Sequence, residues 1–406
     1  MVLDLLDKKD KRGNRVMDYV VVLVISVLAV AIRLPFLSAK FPDYIVCLKP
    51  WVDQFKEYGG LAGLGHEIGN YTPAYMHFLM IFSYFDIEPV YLIKGLGIIM
   101  DFFLAGAGAC LIAYGGTRKQ HIAMYAILLM VPTVLTNSGV WGQCDNFYAT
   151  FILFALFFSL KDISYTIGKG KKWQITFKTE DMVIIFTGLA FAFKLQTIFI
   201  LPVLAVLFLK KRWRLWSLLW IPVVYGITIF PSWLAGRGLK DLLTIYFRQT
   251  GDFSEYTLYY PNVYTLWQNE TFAPQFAVMS MIFCGMGLVV TVYVLYGRNF
   301  TITPRFLCLF TTFSVLFIAN FLPHMHERYG YVADILSVSL LLHDRKKTLI
   351  PVVLILISLM TYARHLLWFD YGNVMAVAAL ARMGIILYLG KLLLEETEEK
   401  IVPYVQ

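Results

Sequence analysis

Long apolar runs govern what this chain can fold into. The stretch VVVLVISVLAVAI (20–32) is the first of twelve, at roughly 17–37, 88–114, 120–138, 147–161, 181–193, 196–209, 215–235, 273–296, 303–322, 331–343, 348–364 and 373–394. A helix crosses the ~30 Å hydrocarbon core with about 20 such residues, and backbone polar groups in lipid must pair internally. A membrane barrel would need alternating strands of about ten residues, and none are present. The expected fold is therefore all-α: a polytopic membrane protein of about 12 transmembrane helices, forming one integral membrane domain over 1–406. Composition agrees. Only 15% of residues are charged, against about a quarter in soluble proteins, and the mean hydropathy is +0.65.

The formal charge of +8 does not indicate nucleic acid, because the basic residues fall in short loops, where they act as topology signals. Five precede the first span; Arg118–Lys119, KGKK within 161–180, KKRWR (210–214) and DRKK (344–347) follow. With twelve spans and a cytoplasmic N-terminus (1–16), all these segments stay inside, as does the tail 395–406. The apolar stretch 72–85 then reads as a partly embedded or interfacial helix on the outer side. The outside receives 38–87, the WGQCDN turn (141–146), Lys194, the long loop 236–272, PHMHERYG and 365–372. No cleavable signal is expected. The five cysteines are scattered, without metal spacing or a disulfide framework.

Several polar residues stand out against this background. Asp43, just past the first span, reads either as a solvated loop charge or as a general base held at the membrane surface. PWVDQFKEY (50–58) reads as an amphipathic surface helix, with Trp51 and Phe55 apolar and Asp53, Lys56 and Glu57 polar, ended by Gly59–Gly60. Lys94 and Asp101 lie seven residues apart on one face of the second span, as a structural ion pair or a functional pair. In WGQCDNFY, Gln143 and Asp145 sit at an outer turn, where Asp145 or Asn146 caps the next helix or meets a ligand. Lys194 is either a snorkelling anchor or a point charge for phosphate. Arg382, inside the last span, is a packing device or a phosphate contact.

PHMHERYGY (323–331) is the densest polar cluster. The spacing of His324, His326 and Glu327 is unlike that of metal-binding helices. Arg328, flanked by imidazole and phenol rings, suits an anionic group, since a guanidinium matches phosphate oxygens bidentately. No metal is expected.

Taken together, DYIVCLKPWVDQF followed after three residues by GG, then NYTPAY, WGQCDNFY, FKLQTIFILP and HERY, in that order, resemble the bacterial relatives of GPI mannosyltransferase II. These are GT-C-type glycosyltransferases that use polyprenyl-phosphate sugars, and the similarity runs from about 17 to 343. The resemblance implies an acidic base in the first extracytoplasmic loop, where Asp43 stands, with amphipathic helices after it. One departure is His324–Met325 before HERY, where family members often carry Lys-Pro. DxD, the pattern that holds a metal-bound nucleotide sugar, is absent.

The resemblance thus implies an inverting transfer of one hexose, mannose by the family name, from a polyprenyl-phosphate donor to a cell-envelope glycan or glycolipid outside the cytoplasm. Asp43 is the expected catalytic base, with no cofactor or divalent metal. Arg328, Lys194 and His326 are expected to hold the donor phosphate. Asp145, Gln143, Glu327, Tyr329, Trp51, Asp53 and Lys94 are expected to contact substrate, with Tyr331 as a further sugar face. Rival readings are a transporter or flippase of a lipid-linked sugar, a non-catalytic assembly subunit, and a ligase or polymerase with an oligosaccharide donor.

Overall fold

Apolar length and proline placement set the helices in the computed structural model, which describes residues 12–167, 175–249, 255–266 and 270–398. Nearly every element there is helical. Among the described residues seven helices are long and apolar enough to cross a bilayer: Arg15–Phe36, Pro89–Ile112, Leu215–Leu234, Ala273–Gly297, Pro304–Phe321, Arg345–Leu367 and Val374–Glu396. Arg118–Met130 and Pro132–Trp141 make an eighth if they form one span, bent by 48°. The break falls at Val131, whose ψ of 123° is non-helical. Pro132 disfavours a helical conformation in the residue before it and has no N–H of its own to donate. The protein is a polytopic helical membrane protein.

Four of the twelve expected spans are shorter than a bilayer requires. They fold as Asp145–Ser159, Thr179–Phe193, Leu201–Lys211 and Tyr331–His343. Fifteen residues rise only about 22 Å, against a core of about 30 Å. A second difference is a small antiparallel hairpin, in which Ser164–Ile167 pairs with Ile175–Lys178. Alternating residues flank the KGKK run there, and that run lies outside the described residues.

The chain groups into two compact units, residues 1–197 with 216–253, and residues 198–215 with 254–406. In the first, the helix Lys49–Glu57 turns Val52 and Phe55 inward. Gly59 and Gly60, at φ +77° and +70°, end it in left-handed conformations open to glycine. This is the amphipathic helix expected from PWVDQFKEY. The helix Pro73–Phe82 departs from expectation. It buries Tyr75, Met76 and Leu79 in the unit's core rather than presenting one apolar face, because it is apolar on every side. In the second unit Pro304–Phe321 is the most buried long helix, and Ser314 Oγ donates to the Phe199 carbonyl at 2.6 Å.

A buried charge network organises the first unit. Arg33 and Asp101, at 1% and 0% exposure, form an ion pair with Nη2–Oδ2 at 2.8 Å and Nε–Oδ2 at 3.2 Å. Arg33 also donates to the carbonyls of Ala29 and Leu129. Asp101 accepts from Ser138 Oγ and, at 2.8 Å, from Asn146 Nδ2. Lys94, expected opposite Asp101, instead donates to the carbonyls of Phe36 and Ala39 at 2.6 Å each, securing the backbone that leads to Asp43. The seven-residue spacing put the two charges on one face without fixing their partners.

A buried pair of this kind costs more to break than to replace. Arg33→Met or Asp101→Leu alone should cost about 3–5 kcal/mol, and the double substitution should recover most of the loss. Thermal unfolding of the three variants in detergent checks this.

Candidate functional site

The segment 137–146, NSGVWGQCDN, places most of the polar residues of the first unit. It leaves the bent helix through a π-helical stretch, Leu135–Trp141, and turns at Gly142, whose φ is +83°. The Gln143 amide closes the turn on the Asn137 carbonyl at 2.8 Å. Ser138 and Asn146, both held by Asp101, bracket the segment. Asn146 also donates to the Gly97 carbonyl. Neither it nor Asp145 caps the helix that follows, whose N-cap is Cys144 with no side-chain cap.

Asp43 is partly exposed and begins the one-turn π-helix Tyr44–Leu48. Its Oδ2 accepts from Trp141 Nε1 at 2.9 Å and from Gln143 Nε2. Gln143 Oε1 in turn accepts from Tyr71 at 3.3 Å. Tyr71 meets Trp51 edge-on, with centroids 5.3 Å apart. Trp51 packs over Gly69, where a Cβ would come within 2.5 Å of the indole and φ is +62°. Beside this group, Asp145 accepts from Lys194 Nζ at 2.6 Å and from Asn137 at 2.8 Å. Lys194 also lies over the Tyr71 ring at 5.5 Å. Asp43, Gln143, Trp51, Asp145 and Lys194 are therefore tied into one network, with the Lys194 charge engaged by Asp145. Asp53 stands apart, paired with Lys49 at 2.6 Å on the exposed side of its helix, and that carboxylate raises the Lys49 pKa.

The second unit holds the other predicted residues. Met325–His326 pairs in parallel with Thr257–Leu258, and His324 and Tyr259 take left-handed conformations at φ +60° and +62°. The His324 backbone amide donates to the Tyr256 carbonyl at 2.9 Å, and its Nδ1 lies 2.7 Å from the Glu255 carbonyl. Glu327 is buried, with Arg328 Nη1 on its Oε1 at 2.7 Å and His326 Nδ1 at 3.8 Å from Oε2. Burial opposes its ionisation, but His326 and Arg328 outweigh that and lower its pKa to about 2. Tyr329 faces the His326 ring at 5.1 Å and Phe199 at 6.3 Å. Tyr331 is fully buried. Arg382 is fully buried over the Tyr260 ring at 4.1 Å.

Sequence reasoning missed Arg33, Asn137, Ser138, Trp141 and Tyr71. The available signal was that 137–146 is a polar run between apolar segments, with an Arg inside the first apolar span. No family model matches the chain, and no curated protein matches its sequence. Among the described residues, no group of His, Cys, Asp and Glu converges as a metal-ligand set.

The depressed Glu327 pKa stabilises the fold above the unfolded value of 4.5, and the gain is lost as pH falls toward about 2. Wild-type melting temperature should therefore drop across that window. Glu327→Gln should melt lower at neutral pH and lose that part of the acid dependence.

Proposed function

We propose that the protein is an inverting glycosyltransferase of the GT-C type, with Asp43 as its general base. The observation that carries this reading is the aim of one carboxylate. Asp43, partly exposed just past the first span, has its Oδ2 held by the Trp141 indole and the Gln143 amide, inside the network that also gathers Trp51, Tyr71, Asp145 and Lys194. A partly exposed carboxylate aimed in this way is suited to take a proton.

In the reaction, an acceptor hydroxyl gives its proton to Asp43 as its oxygen bonds to the anomeric carbon. The carbon–oxygen bond to phosphate breaks on the opposite face, and polyprenyl phosphate leaves with the bonding pair. One displacement inverts the anomeric centre. Trp51, Tyr71 and Gln143 supply a ring face and a polar contact for sugar or acceptor. Lys194 with Asp145 stiffens the first cluster, and Arg328 and His326 of the second unit are of the type that holds an anionic phosphate. The donor is a polyprenyl-phosphate hexose, mannose by resemblance, and the acceptor a cell-envelope glycan or glycolipid. In this reading the bent pair and the four short segments are embedded, giving about twelve membrane segments, with both termini cytoplasmic and the reaction on the outer side.

A transporter or flippase of a lipid-linked sugar is the competing reading, favoured by the fully buried Arg382 within a spanning helix. Donor consumption separates the two. Purified protein should transfer radiolabelled hexose from a short-chain polyprenyl-phosphate donor to membrane-extract acceptors, indifferently to EDTA. Asp43→Asn should lose at least about 10²-fold of that rate. A donor that is bound but never consumed, by wild type and variant alike, rejects the transferase.

A further inference from the structure

We propose that the second unit carries a lipid-phosphate site extending beyond the HERY turn, in which Tyr259, Arg364 and His365 join Arg328 and His326. The proposal rests on the transferase reading only for the role of that lipid as donor. Tyr259 is the connecting piece. It bridges to His326 through the backbone, and its left-handed φ of +62° is a conformation a tyrosine adopts only when its surroundings impose it. Its ring is exposed, with the Arg364 guanidinium 5.0 Å from its centroid and the His365 ring at 6.3 Å. His365 also adds to the positive field that keeps Glu327 ionised. One arm of the cluster thus comes from the HERY turn and the other from the end of the helix Leu349–Leu367.

The charges do not favour an anion at every pH. Arg328 and Arg364 are matched by Glu327 and Asp370, the latter bonded to Arg364 at 2.5 Å. On the helices packed against Leu349–Leu367, Asp334 and Arg382 are opposite in sign, Lys391 pairs with Glu395, and Glu396 pairs with Arg305. His324 is bonded to the Glu255 carbonyl beside Tyr256. The charge of the cluster therefore follows His326 and His365, since imidazole titrates between about pH 5 and 8. Protonation of both makes the cluster doubly cationic, and an anion that binds them must bind more tightly as pH falls. The chain beyond His365 suits the rest of a lipid. Leu367, Trp368 and Phe369 are exposed at 55%, 74% and 56%, and Trp368 ends the helix at φ +60°. An anion-binding cluster beside an apolar, aromatic flank matches a phosphate that carries a hydrocarbon chain.

Full-length protein in detergent would be titrated with a short-chain polyprenyl methyl phosphate diester, whose single charge does not change between pH 6 and 8. Phosphatidylglycerol and dimethyl phosphate would run beside it. The polyprenyl diester should bind about tenfold more tightly at pH 6 than at pH 8. Arg364→Gln should weaken it about tenfold, and His365→Gln should weaken it at pH 6 and flatten the pH dependence. Trp368→Ala should weaken the lipid while leaving dimethyl phosphate unchanged. Arg364→Lys guards against misfolding and should retain most binding. Wild-type affinity in both Arg364→Gln and His365→Gln, or binding indifferent to pH, overturns the site. Equal affinity for phosphatidylglycerol assigns it to ordinary phospholipid and overturns its donor role. Asp43→Asn should bind the diester normally. If that variant still transfers sugar, the assignment of Asp43 as base fails while the binding result stands; if wild type binds the diester but never consumes a sugar donor, the transferase reading fails and the site stands.

Discussion

The ion pair between Arg33 and Asp101 is the constraint on which the first unit's polar network depends. Two charges sit where water does not reach, so each must be fully matched by the other and by fixed dipoles. Asp101 meets that demand with donors from Ser138 and Asn146 as well as Arg33. Those two residues bracket the turn that carries Trp141, Gln143 and Asp145. Matching one buried carboxylate thus fixes both ends of the segment that aims donors at Asp43. Lys94 secures the other side by holding the Phe36 and Ala39 carbonyls ahead of Asp43.

The same logic recurs with different partners and different consequences. Asp145 takes Lys194, and Glu327 takes Arg328 and His326. His326 and Arg328 hold Glu327 ionised against the effect of its burial, so it acts as fixed charge. Asp43 Oδ2 accepts from an indole and a side-chain amide, which orient the group.

Much of the architecture was legible in the sequence because lipid leaves few options. Apolar runs of sufficient length became helices, and the ends of the long ones fell within a few residues of the expected positions. The Pro-initiated amphipathic helix and its Gly59–Gly60 stop were also readable, since φ above zero selects glycine. Short runs were not readable in the same way. Asp145–Ser159 and Pro73–Phe82 have the composition of spans but not the length, and only packing decides whether such a helix is embedded, tilted or internal.

Of the candidate site, the sequence by itself determined the inventory. A chain this apolar retains charge only where charge is paired or used, so Asp43, Asp145, Lys194, Glu327 and Arg328 stood out from their types and surroundings. Tertiary structure alone decided the partners. It gave Asp101 to Arg33 instead of Lys94, turned Asn146 from a helix cap into a ligand of Asp101, and set Trp141 on Asp43 across 98 residues of chain. The physical reason is that hydrogen bonds and ion pairs act over about 3 Å, whereas periodicity along the chain reports only which face a residue shares. No spacing rule reaches from residue 33 to residue 101, and only the packed helices bring them together.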